Sequence, residues 1–182
     1  MDLDLLEPYG RGSEWTVTKV RGAVSNLDNP TTCDEWNVRT LLNHMLETQK
    51  YFAGSARGEE VSLSPNPPDL LGNDPCADFD QARAETLRTF GKPGVIDRTG
   101  PALGIGFSDQ LLHGWDLAVS TVQDATMPEG LPESGYAIIH GRFTDEQRKG
   151  VFKPELRLTR PPPPRKNFLR TPGEILRKQD DP

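Results

Sequence analysis

The stretch WNVRTLLNHMLETQKYFAGSA, Trp36 to Ala56, decides the fold. Val38, Leu41, Leu42, Met45, Leu46, Gln49 and Phe52 recur at three- and four-residue spacing, which lines one face of an α-helix. Asp34, just upstream, offers the short acceptor side chain of an N-cap, so the pattern predicts a helix over 36–56. Strand-like alternation is scarce elsewhere, and three further segments read as helices.

The first of these is Leu5 to Leu27, where Trp15, Val17, Val20, Ala23, Val24 and Leu27 keep helical spacing until Asn29-Pro30 closes it. Ser62 to Pro75 holds four prolines and reads as a loop long enough to lie over the surface or cover a mouth. Ala77 to Phe90 is helical through Phe79, Ala82, Leu87 and Phe90, with Asp78 and Asp80 at the positive end of its dipole. A turn-rich stretch from Asp97 to Gly104 then leads into a fourth helix, Ile105 to Gln123. Amphipathic helices joined by loops define an all-α chain: an up-and-down four-helix bundle, residues 1–150, with a proline-rich C-terminal extension, residues 151–182, packed on it. Within that extension Phe152 to Leu158 suits a short strand or a crossing segment, Pro161 to Pro164 an extended polyproline strap, and Thr171 to Lys178 a helix start.

A net charge of −6, with no basic patch interleaved with aromatics, argues against a nucleic-acid binder. No apolar run approaches the roughly 20 residues that span a bilayer, and Met1 to Glu7 is acidic where a secretory leader is basic and then apolar. The expectation is a cytoplasmic chain without a membrane partner. Cys33 and Cys76 lack CxxC spacing and fit reduced thiols in that compartment.

His44 sits at the edge of the 36–56 apolar arc, beside Leu41, Leu42 and Met45. On the fourth helix, with Phe107 at zero and about 100° per residue, Phe107, Leu111, Trp115, Ala118, Val119 and Val122 fall within roughly 0–120°. Asp109, His113, Asp116 and Ser120 cluster near roughly 180–240° instead. Spacing alone leaves two readings open: the wet side of a surface helix, or a stacked Asp109/His113 pair that clasps one divalent ion with a third donor from elsewhere. His44 likewise fits a hydrogen-bonded core edge or a ligand. Trp36 and Trp115 read as core aromatics, and His140 has no acidic or histidine partner at ligand spacing.

Two motifs add to this: Thr32-Cys33-Asp34-Glu35-Trp36-Asn37-Val38-Arg39 followed by Leu41-Leu42-Asn43-His44, and Asp109-Gln110-Leu111-Leu112-His113-Gly114-Trp115-Asp116-Leu117-Ala118. Together they resemble the mycothiol-dependent maleylpyruvate isomerase-like metal-binding family, one of the DinB-like four-helix bundles. The resemblance implies one divalent metal held by His44, Asp109 and His113. The isomerase has glutamate where this chain has Asp109, so Asp109 would coordinate from closer to its helix axis. The isomerase also has a second, C-terminal domain at its active site, which residues 151–182 are too short to supply. The resemblance therefore implies the metal site rather than the isomerase reaction itself, and the site is expected to be completed by the chain's own loops or by a second copy in a homodimer.

Two imidazoles and a carboxylate leave a four-coordinate zinc with one open position, as in catalytic sites. Nickel and ferrous iron suit the same donors, with zinc preferred. A thiol in the open position, with mycothiol as cosubstrate, would be deprotonated and act on a small organic substrate, giving a thiol-dependent S-transferase or isomerase. Water there would make a hydrolase or lyase. A non-catalytic metal-binding or stress-response bundle is the third class. Asp116 is the candidate partner for the remaining nitrogen of His113, set against a solvent-facing aspartate. Arg39 could meet an acidic substrate or form a surface salt bridge, and Tyr136 and Arg142 could line the mouth.

Overall fold

Asn37 holds the first turn of the long helix: its Oδ1 accepts the Thr40 backbone N–H and the Thr40 hydroxyl, both at 2.9 Å. Asn37 thus does the capping expected of Asp34, which lies outside the described residues. The structure is a computed structural model that describes residues 5–33, 35–142 and 144. Among them are five helices and no strand: α1 (Leu6–Ala23), α2 (Val38–Arg57), α3 (Pro75–Phe90), α4 (Val95–Ser120) and α5 (Leu131–Ile139). The expectations for Phe152–Leu158, Pro161–Pro164 and Thr171–Lys178 lie outside the described residues.

Local chemistry explains the ends. α2 stops at Gly58, whose φ of 81° carries no penalty without a Cβ. Asp74 caps α3 by accepting the Ala77 N–H, and Pro75 supplies the preset φ of a first helical turn. Residues 59–74 are non-helical, as expected, and run along α2. Glu47 accepts the Ser64 N–H at 2.9 Å, and Asn43 Oδ1 accepts the Leu70 and Leu71 N–H groups at 2.7 and 3.0 Å.

Two expectations are corrected. The stretch Asp97 to Gly104 is not turn but helix, because α4 already begins at Val95 and carries Pro101 inside it. Pro101 forfeits one i→i−4 hydrogen bond. Burial of Val95, Leu103 and Phe107 on either side of it offsets that loss. The other correction is α5, a helix over Leu131–Ile139 where the sequence predicts none.

The long helices form a ring in which α1 and α2 each pack against both α3 and α4, and α5 lies on α4 and α1. Their interior holds two apolar clusters, one around Tyr9, Phe52, Phe90 and Phe107, the other around Val20, Leu42, Phe79 and Leu117. Some buried polar positions lie near the junction of these clusters, Ser13 and Thr16 on α1, Thr48 and Gln49 on α2 and Thr86 on α3, and Gln110 on α4 lies between Phe107 and Leu111 of the first. Hydrogen bonds tie the helices together here, with the Thr16 hydroxyl donating to the Gln110 carbonyl at 2.9 Å and Gln110 Nε2 to the Met45 carbonyl at 3.3 Å. None of the described helices is long and apolar enough to cross a membrane.

α1 and α4 approach closely through glycines. A Cβ on Gly114 would sit 2.7 Å from Trp15 Cζ3 and 2.8 Å from Thr16 Oγ1. Gly114→Val is therefore expected to lower unfolding stability by about 1–3 kcal/mol through overpacking, as read in a urea titration. An unchanged midpoint would show that α1 and α4 have room to spare.

Candidate metal centre

His44 and Thr48 are four apart on α2 and share the strip that faces α4. The neighbouring strip, Asn43 and Glu47, is the one that holds the 59–74 segment. On α4 the buried face beyond Pro101 runs through Leu103, Gly104, Gly106, Phe107, Ser108, Gln110, Leu111, Gly114, Leu117 and Ala118. With Phe107 at zero, the centre of that arc is turned about 60° from the expected stripe, toward Asp109 and His113, while Phe107, Leu111 and Ala118 of the stripe stay inside. Trp115, Val119 and Val122 are accordingly 41%, 40% and 77% exposed rather than inside. Asp109 and His113 lie at the edge of the core, not on a wet side, with side chains 19% and 18% exposed.

Here α2 and α4 bring the three expected donors together. Asp109 Oδ1 lies 3.6 Å from His44 Nε2 and 3.5 Å from His113 Nε2, and the two rings stand edge to face with centroids 5.0 Å apart. One ligand atom from each residue lies within 4.8 Å of the other two. A tetrahedral ion with bonds of about 2.0–2.1 Å sets its donors roughly 3.3–3.4 Å apart, so the carboxylate-to-imidazole distances fit with little adjustment. The other carboxylate oxygen, Oδ2, accepts the buried Thr48 hydroxyl at 2.8 Å. Asp109 is thereby divided, one oxygen anchored and one offered.

Asp116 stands behind His113, its Oδ2 3.0 Å from Nδ1, while its Oδ1 accepts the Thr32 hydroxyl. An Nδ1–H donated to Asp116 leaves the Nε2 lone pair facing Asp109 and His44, the tautomer a metal ligand needs. Cys33 Sγ also reaches Asp116 Oδ2, at 3.7 Å. Trp36 is half-buried, packs on the apolar cluster around Val20 and Leu42 as expected, and tilts against the His44 ring, centroids 4.9 Å apart, so it also walls the site.

The electrostatics follow from burial and pairing. Burial alone would raise the Asp109 carboxyl, but His113 and then His44 hold it well below the usual carboxylate range. Burial works against charge on His113 too, yet Asp109, with help from Asp116 and Cys33, raises it well above an ordinary imidazole. A buried carboxylate here thus recruits a positive charge, and a proton on His113 supplies it when no cation does.

The remaining expected residues are not brought to these donors. Arg39 pairs with Asp69 at 3.6 Å and lines a separate cavity of about 440 Å³ with Val24, Leu27, Leu71, Asn73 and Cys76. α5 packs through Gly135 on Phe107, Ser108 and Leu111, a face of α4 turned away from Asp109 and His113. Tyr136 is 61% exposed and stacks on His140, and Arg142 is exposed just beyond. Sequence reasoning missed Thr48, Thr32 and Cys33 as members of the site. Thr48 carried a usable signal, being one turn after His44 on the same face.

No family model and no solved structure matches the chain. Two proteins of Mycobacterium tuberculosis, Uncharacterized protein MT0763 of strain CDC 1551 / Oshkosh and Uncharacterized protein Rv0738 of strain H37Rv, are each 25% identical over 138 residues. Each match covers 70% of this chain and 72% of the relative.

The paired charges set a pH dependence for the cation-free protein. The depressed Asp109 carboxyl contributes stability above the ordinary carboxylate range, lost as pH falls through its folded value. The raised His113 contribution is complete below about 6.5 and is lost as pH rises through its folded value. The advantage of the chelator-treated wild type over His113→Asn in urea midpoint should therefore shrink as pH climbs past about 6.5. A gap that stays level well into the alkaline range would show that the pair carries no such linkage.

Proposed function

We propose that the chain is a DinB-like bundle similar to the mycothiol-dependent maleylpyruvate isomerase-like family, binding one divalent metal and acting on a small organic substrate with a small thiol, as an S-transferase or isomerase. The observation that supports this most is the convergence of His44, Asp109 and His113, two helices and two sequence motifs apart, onto donor distances of 3.5–3.6 Å. Two imidazoles and a carboxylate favour zinc, with nickel and ferrous iron as alternatives. A metal there would supply Lewis acidity, keeping a small thiol such as mycothiol ionised at neutral pH.

The chain's own groups have separable tasks. Around a metal, His44 and His113 would each offer a ring nitrogen, Asp109 Oδ1 would bring the negative charge, and Thr48 would keep that carboxylate from turning. Asp116 holds the His113 proton on Nδ1. The five side chains are largely buried, and His44, Asp109, His113 and Asp116 retain 16–20% exposure, enough to be reached from solvent.

Elemental analysis tests the metal. The wild type is expected to retain zinc, nickel or iron near one equivalent per chain, while His44→Ala and His113→Ala lose it. Equal content in all three would end the reading. Turnover that disappears on thiol depletion supports the transferase or isomerase class, whereas turnover that persists identifies a water-using hydrolase or lyase. Thr48→Val, which keeps shape and removes the donor, is expected to weaken metal binding about tenfold or more, with Thr48→Ser restoring it. Unaltered affinity in Thr48→Val would deny Thr48 its positioning task.

A further inference from the structure

His113 has a second nitrogen, and the groups around it are ligands too. Cys33 Sγ, a ring nitrogen of His113 and an Asp116 oxygen lie within 4.8 Å of one another. Asp116 Oδ2 is 3.0 Å from Nδ1 and 3.7 Å from Sγ. A tetrahedral ion with metal–sulfur bonds of about 2.3 Å and metal–nitrogen or –oxygen bonds of about 2.0–2.1 Å spaces such donors roughly 3.3–3.6 Å apart. The spacing fits a cation between them.

The groups are also held in place. The Thr32 hydroxyl occupies Asp116 Oδ1 and so turns Oδ2 toward the thiol and the imidazole. Cys33 sits in a turn built on Thr31, whose Oγ1 accepts the Cys33 N–H at 3.1 Å and donates to the Trp36 carbonyl at 2.8 Å. A bridge between Pro30 and Asn37 ties that turn to the start of α2. Cys33 is half-buried and free of any disulfide.

We propose that Cys33, His113 through Nδ1, and Asp116 form a second cation position, suited to a soft ion, that excludes occupancy of the first. Sulfur makes this donor set softer than two imidazoles and a carboxylate, so it selects cadmium- or copper(I)-like ions over nickel or ferrous iron. Exclusion follows from the single proton of a neutral imidazole. With Nε2 as ligand, the proton is on Nδ1 and Asp116 accepts it. With Nδ1 as ligand, the proton moves to Nε2, where Asp109 Oδ1, 3.5 Å away, becomes its acceptor. Binding at the second position also releases the Cys33 thiol proton to solvent. One ring thus serves two positions, one at a time.

Cadmium is the probe. One equivalent is expected to produce the ultraviolet thiolate-to-cadmium charge-transfer band in the wild type, in Cys76→Ser and in His44→Ala, and none in Cys33→Ser. Prior loading with nickel should weaken cadmium binding in the wild type about tenfold or more and leave His44→Ala unaffected. In the unaltered chain, cadmium should shield Cys33 from alkylation and leave Cys76 reactive. A missing band in the wild type, a band that survives Cys33→Ser, or an unshielded Cys33 each overturns the second position. Simultaneous binding of nickel and cadmium overturns the exclusion. Loss of nickel and zinc binding alone, with the cadmium band intact, would remove the first position and leave this one standing.

Discussion

Asp109 brings a carboxylate to the level where the two apolar clusters of the bundle meet, and an uncompensated charge at such a place costs several kcal/mol. His113, one turn along α4, supplies part of the compensation, and the rest comes from the facing helix, because α4's own backbone donors are spent within it. His44 and Thr48 meet that need together: one turn of α2 delivers an imidazole to Oδ1 and a hydroxyl to Oδ2. Sliding α2 by a single residue would present Asn43 and Glu47 instead, a second carboxylate against the first. The register between α2 and α4 is therefore fixed by charge as much as by packing.

The same helix faces three other ways, and glycine decides how closely. Gly12 and Gly114 let α1 and α4 approach until Phe107 and Trp15 fill the space a Cβ would need. Gly135 does the same for α5 against Leu111. With those two faces closed by apolar contact, the edge carrying Asp109, His113 and Asp116 is left to α2 and to the turn around Thr31. Thr32 and Cys33 complete it there.

What could be read from the sequence follows the same physics. α2 was legible because Val38, Leu41, Leu42, Met45 and Leu46 are all apolar and all buried, so periodicity and core coincide. α4 was harder, since its inner face is lined by Gly106, Gln110 and Gly114, which carry no hydrophobic signal, while Trp115, Val119 and Val122 carry a strong one outside. The expected stripe is half inside for that reason, with Phe107, Leu111 and Ala118 buried and the other three outside. Pro101 and the glycines near it imitated a turn, and Gly130, Pro132 and Gly135 hid α5. His44, Asp109 and His113 were visible as a spacing and a pair of motifs, and Asp116 as a carboxylate one turn beyond His113. Thr48 and Cys33 were not, because a hydroxyl on a carboxylate and a thiol beside an imidazole exist only once two segments have met.

A string of Cys33, Asp116, His113, Asp109 and His44 is a poor way to hold helices together. Apolar residues of similar volume usually serve as well or better than a buried ionic group, so stability alone gives little physical ground for the string. A cation would supply that ground, and charge balance ranks the two proposed positions. A divalent ion between His44, Asp109 and His113 offsets both carboxylates and leaves Cys33 a neutral thiol, so the whole group sums to zero. The same ion moved beside Cys33 must offset a thiolate as well and leaves one negative charge over. The second position can compete only for ions whose bond to sulfur outweighs that surplus, which makes softness, rather than charge or size, the property that would divide cations between the two faces of one histidine.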